Sequence, residues 1–119
     1  MSRQPRGWLV DPKQFGRVLA PAWLRDQVRT AGDRIDLTTS QMQHQVAYFV
    51  HTERHHHGWR TWQQVADAAR LPVDVRQLAA IMRGERVMGL HYIAAFSLAM
   101  GRPIAAFGYT LTRPADGRA

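Results

Sequence analysis

The chain has no cysteine, a single lysine (Lys13), and no apolar run long enough to cross a bilayer. The first absence removes disulfides, iron–sulfur clusters, cysteine-type zinc fingers and cysteine nucleophiles together, and fits a reducing cytoplasm. The second makes arginine the working cation, whose planar fork suits phosphates and guanine edges better than an ammonium does. The third excludes a membrane span, and the opening "MSRQPRGWLV" lacks the apolar stretch of a signal peptide. Acidic residues are few, 9 against 16 Lys and Arg. Those at Asp11, Asp26, Asp33, Asp36, Glu53, Asp67, Asp74 and Glu85 are scattered over caps and surfaces. With no nucleophile–base constellation and no glycine-rich phosphate loop, we expect no enzyme, no cofactor and no small-molecule ligand.

What is present bounds the chain from the other side. Hydrophobic residues make up 45% of 119 residues, enough for one packed domain with an appendage. The formal net charge of +7 calls for a polyanionic partner, nucleic acid before an acidic membrane surface.

Apolar spacing and punctuation predict an all-α chain. Residues 1–10 form a basic arm, Arg3 and Arg6 flanking Pro5, with Trp8 either docking on the core or leaving the arm free to track a phosphate backbone. Asp11-Pro12 starts a helix with Phe15, Val18 and Leu19 on one face. Pro21 breaks it and opens a second, burying Trp23, Leu24 and Val28 and ended by Gly32. Residues 33–37 are a connector. Thr38 with Gln41 has capping-box spacing, and Met42, Val46, Phe49 and Val50 define an amphipathic helix to about Arg54. The same grammar recurs at Thr61/Gln64 and Asp74/Gln77, the second helix ending at Gly84. A further helix runs from Leu90 to Met100, Pro103 opens a last turn to Phe107, and the tail is irregular, "GYTLT" being a strand candidate without a partner.

From Thr61 onward the chain resembles the Cro/C1-type (lambda-repressor-like, XRE) helix-turn-helix family. The residues that carry the resemblance are Thr61-Trp-Gln-Gln-Val65-Ala66, then Leu78, Ile81 and Arg83-Gly84, then "GERVMGLHYIAAFSLAMG" with the family's Gly84-to-Gly101 spacing. The sequence departs from the family at Trp62, where a glutamine is common, in the Pro72-containing turn, and at Met88-Gly89. The resemblance implies a compact bundle of about five short helices: extension 1–37, DNA-binding domain 38–107, tail 108–119. It implies a sequence-specific double-stranded DNA-binding regulator, a repressor of the phage-immunity or Cro-like kind, cytoplasmic and nucleoid-associated. Family members often act as homodimers on palindromes, although no dimer seam is visible here.

On that reading residues 75–83 enter the major groove. Leu78, Ile81 and Met82 supply the buried face; Val75, Arg76, Gln77, Ala79 and Ala80 read bases, Arg to guanine and Gln to adenine. Arg54, Arg60, Thr61, Gln63, Arg83 and Arg86 hold the backbone, with Arg3 and Arg6 as arm contacts. The alternative is an interaction module, an antitoxin or adaptor, gripping a partner through Trp8, Phe15 and Trp23.

The stretch "HTERHHHGWRTW" raises a metal question. His51 and His55 have i, i+4 ligand spacing, but Glu53 points away from their face and no third ligand follows. We expect no metal. His44, His51 and His55 share the face opposite Met42, Val46, Phe49 and Val50, where solvated residues belong; near phosphate they would make binding weaken as pH rises.

Overall fold

Thr30, not Thr38, starts the longest element. The computed structural model describes residues 3–102, so the turn expected at 103–107 and the 108–119 tail lie outside the described residues. Helix α1 runs Ala31–His56. The Thr30 hydroxyl accepts from Asp33 N–H at 3.0 Å, and the Asp33 carboxylate accepts from the backbone N–H groups of Thr30 and Arg29 at 3.2 and 2.9 Å. This capping box satisfies the first orphan donors, and no proline lies within Ala31–His56. The expected connector 33–37 is therefore helical, Gly32 lies in the first turn instead of ending a helix, and Thr38 is an interior residue whose hydroxyl donates to the Arg34 carbonyl at 2.8 Å. The boundary expected between residues 37 and 38 falls inside α1.

The other starts coincide with their expected caps. Thr61 and Gln64 form a reciprocal capping box on α2, Trp62–Ala69, and the Asp74 carboxylate accepts from Gln77 N–H at 2.8 Å on α3, Val75–Met82. Helix α4 is Leu90–Met100, closed by Gly101 in the left-handed region. Val65 and Ala66 of α2, Leu78, Ile81 and Met82 of α3, and Tyr92, Phe96 and Met100 of α4 meet Val46, Ala47 and Val50 of α1 in one core. Leu98, an apolar position of α4, is 84% exposed. The described residues thus hold four α-helices, one of 26 residues, and no strand.

The N-terminal extension is not a pair of α-helices. It holds three short 3₁₀ turns, Pro5–Trp8, Pro12–Gln14 and Arg25–Gln27. Asp11 does cap the second turn, but Gly16, with φ +72°, turns the chain out of helical geometry. Phe15 is buried, while Val18 and Leu19 are exposed. Trp8 is also buried and Trp23 packs partly buried on the core, so the aromatic residues expected to anchor a partner are engaged within the chain. One antiparallel bridge, Leu9 to Trp23, closes the segment on itself.

This segment explains why His44 is not solvated as its helical face suggested. Residues around Phe15 and Trp23 cover that side of α1, leaving His44 2% exposed with both rings edge-on to its imidazole. Gly16 N–H donates to His44 Nδ1 at 2.9 Å, so the neutral ring carries its proton on Nε2, which is buried without a partner. Burial pushes the His44 pKa below the ordinary imidazole value of 6.5.

Two predictions follow from these contacts. Gly84 has φ +76°, and a Cβ there would lie 2.7 Å from the Phe15 ring, whereas Gly58, at φ +75°, has nothing within 4 Å. Gly84→Ala should cost about 2–4 kcal/mol and Gly58→Ala about 1 kcal/mol in urea unfolding, because both share the left-handed strain and only one adds a clash. His44, with its folded pKa lowered, supports the fold above about pH 6.5 and withdraws that support as pH falls through the folded pKa. The melting temperature should drop from pH 7.5 to 5, and less so in His44→Gln, which retains an acceptor for Gly16.

Candidate nucleic-acid interface

Helix α3 is held at its C-terminal end and open at its start. Gln43, a buried amide on α1, donates to the carbonyls of Ile81 and Arg86 at 3.0 and 2.8 Å and accepts from Met88 N–H at 2.8 Å. Arg6 N–H donates to the Gly84 carbonyl at 2.9 Å, and the Phe15 ring lies against the Gly84 Cα. The first turn of α3 bears none of these ties. There Arg76 and Gln77 are exposed, with Val75, Ala79 and Ala80 half-buried beside them.

Arg76, Gln77, Ala80 and Arg86 line one open cleft, together with Asp74, Glu85 and Gln4 from the N-terminal segment. Three base-reading candidates, Arg76, Gln77 and Ala80, and one backbone candidate, Arg86, therefore share a surface with Gln4 and Glu85, which sequence spacing did not single out. The alanines lower the middle of α3, so the flanking guanidinium and amide stand proud of it.

The backbone candidates divide by what already holds them. Arg54 lies over the Trp62 ring at 4.5 Å and donates to the Arg60 carbonyl at 2.8 Å. Gln63 donates to the Asp67 carboxylate at 2.9 Å, and the Thr61 hydroxyl is engaged as the α2 cap. Arg83 forks onto Glu85 at 2.8 and 3.2 Å, and Arg6 reaches the same carboxylate at 3.3 Å. Those Arg83 hydrogen bonds hold the Glu85 carboxyl below the usual carboxylate range, with Arg6 adding to the effect. Arg60 and Arg86 are exposed, with no ion pair among the described residues. Arg3 lies over the Trp8 ring at 4.2 Å and donates to Gln27, so the two arm cations are folded onto the protein.

The histidines separate into distinct surroundings. His51 is half-buried beside Trp62 and edge-on to His55. Burial, followed by the charges of Arg54, Arg17 and His55, lowers its pKa below 6.5. His57 stacks on Trp59 at 4.5 Å. Among the described residues no group of three or more His, Asp or Glu side chains converges as a metal ligand set, and no helix is long and apolar enough to cross a membrane.

Sequence reasoning missed Gln4 and Glu85 on this surface and Gln43 buried beneath it. Gln4 comes from a segment with no α-helical period, and the contacts that matter, Arg6 to Glu85 and Gln43 to Ile81, Arg86 and Met88, span dozens of residues, so none has a local signal beyond its own polarity. No protein-family model, curated protein or solved structure matches the chain.

The charge arrangement gives a direct check. Removing the Arg17 cation should raise the His51 pKa toward 6.5 by lifting one of the repulsions that oppose its protonation. An imidazole NMR titration of Arg17→Gln against the parent reads the shift; an unchanged His51 midpoint would place Arg17 too far away to matter.

Proposed function

We propose that this chain is a sequence-specific double-stranded DNA-binding protein acting as a transcriptional repressor, in which α2, the turn 70–74 and α3 work as a Cro/C1-type helix-turn-helix. The observation that supports it most is the two-sidedness of α3. Leu78, Ile81 and Met82 are buried, while Arg76 and Gln77 stand exposed at its free N-terminal turn beside two alanines. A helix so built can enter the major groove to the depth its small residues allow and present a guanine reader and an adenine reader to base edges. The +7 net charge supports the same partner.

In this mechanism Arg60 and Arg86 take phosphates on either side of α3 and set its register, since phosphate contacts position while base contacts specify. Helix α2 crosses the backbone with its capped N-terminus toward it. Occupancy of an operator then blocks polymerase, as in repressors of the phage-immunity or Cro-like kind. Two copies on a palindrome or one copy on an asymmetric site are both compatible with this surface.

Selection of bound sequences from random duplex DNA tests the reading: a recovered motif is expected, palindromic for a dimer, and recovery of no motif would sink it. On the selected site, Arg76→Ala should lose about 1–3 kcal/mol and relax preference at one base pair. Arg86→Ala should weaken all sequences alike and lower the salt slope by about 1.

A further inference from the structure

A second, smaller cleft opens where the N-terminal segment, α1, the start of α2 and the end of α3 converge. Its rim carries Arg17, His51, Trp62 and Arg83, and its floor is the apolar trio Phe15, Ala47 and Met82. Arg17 is exposed and has no ion pair or side-chain hydrogen bond among the described residues. Arg54, one turn along α1 from His51, is held by a ring and a carbonyl but by no carboxylate, and its Nε is buried without a partner. The carboxylate bonded to a cation of this rim is Glu85, and it serves Arg83 and Arg6. Arg17 and His51 thus stand at an apolar floor, with the charges of Arg54 and His55 acting on His51 and no carboxylate among the described residues bonded to Arg17, His51 or Arg54. Gathering like charges in a place of low polarity is unfavourable unless an anion joins them.

The hollow itself measures about 20 Å³. That is the room of about one water-sized group, so it admits a single oxygen atom and excludes a sugar or a base. The Trp62 and Gln63 backbone N–H groups in the first turn of α2 have no partner among the described residues.

We propose that this cleft seats one phosphodiester of the DNA backbone, with Arg17 and His51 as its donors. The proposal rests on the DNA-binding reading above and deepens it: the N-terminal segment becomes part of the interface, supplying a cation that, unlike Arg83, is bonded to no carboxylate among the described residues. It also couples binding to protons. The charged or titratable groups facing His51 are Arg17 from the N-terminal segment, Arg54 and His55 from α1, and Arg83 from the end of α3. Burial, then Arg54, Arg17 and His55, disfavour its protonated form, while Arg83 is offset by Glu85; a bound phosphodiester, singly negative throughout the neutral range, favours it. Binding therefore takes up a proton at His51, and affinity falls as pH rises through the imidazole range.

The test uses the full chain and duplex DNA, with anisotropy measured across salt at pH 6 and pH 8. Arg17→Gln should bind about fivefold to tenfold more weakly at 0.1 M salt, with a salt slope smaller by about 0.9. Arg34→Gln removes the same charge about 25 Å away along α1 and should change affinity less than about twofold. His51→Gln should abolish most of the affinity difference between the two pH values. Melting curves verify that each variant is folded, and Arg17→Glu should extend the loss seen in Arg17→Gln. If Arg17→Gln matches Arg34→Gln in affinity and slope while the parent binds DNA, the cleft assignment is wrong and the DNA-binding reading stands. A parent that binds no duplex overturns both. Inorganic phosphate alone serves as a second probe: if it shifts the His51 imidazole signals and duplex DNA does not, the cleft serves a free anion and the assignment to DNA falls.

Discussion

The buried amide of Gln43 is the constraint on which the arrangement of α3 depends. A single side chain on α1 satisfies two carbonyls and one N–H at the end of α3 and in the connection that follows it. The Arg86 carbonyl and Met88 N–H lie beyond the helix, and burying them unpaired would cost about 1–3 kcal/mol each; the Ile81 carbonyl, still helical, also accepts from Gly84 N–H at 3.0 Å. Gln43 removes that cost and fixes the distance between α1 and the close of α3. Gly84 completes the join, because only a residue without Cβ lets the Phe15 ring lie against the chain there. With its C-terminal end held from two sides, α3 has its orientation set while its first turn remains uncovered.

The same join determines which cations are at liberty. Glu85, immediately after Gly84, draws in Arg83 from α3 and Arg6 from the N-terminal segment. Arg3 and Arg54 lie against the tryptophans Trp8 and Trp62. A positive surface is thereby sorted into residues that hold the fold and residues that face outward, Arg17, Arg60, Arg76 and Arg86 among the latter. Composition shows the total charge and nothing of this sorting, which depends on local geometry at Arg83, Arg3 and Arg54 and on a contact across the chain at Arg6.

What was legible in the sequence was local. Thr61 with Gln64 and Asp74 with Gln77 mark helix starts because a cap and its N–H partner lie three residues apart, and Leu78, Ile81 and Met82 mark a buried face because a helix repeats every 3.6 residues. Arg76 and Gln77 follow from that face by exclusion. The extension was misread because a proline and an N-cap are shared by α-helices and by a single 3₁₀ turn, and what keeps the turns short is tertiary: Gly16 bonded to His44, and Phe15 seated on Gly84. The start of α1 differs from the expected one because Gly32 resembles a stop, whereas it lies inside the Thr30–Asp33 box. His44 was assigned to water because one apolar face was counted; α1 buries two adjoining faces, the second under a segment whose period is not helical.

The bond from Arg6 N–H to the Gly84 carbonyl joins positions 78 residues apart, and the Phe15–Gly84 contact spans 69. During synthesis the segment that makes these contacts leaves the ribosome well before its partners exist. Once α1 exists, Phe15, Gly16 and Trp23 can meet His44, but the Gly84 side of the join is still missing. The segment's docking on Gly84 thus waits on the close of α3, and it joins helices that can already have paired through nearer contacts.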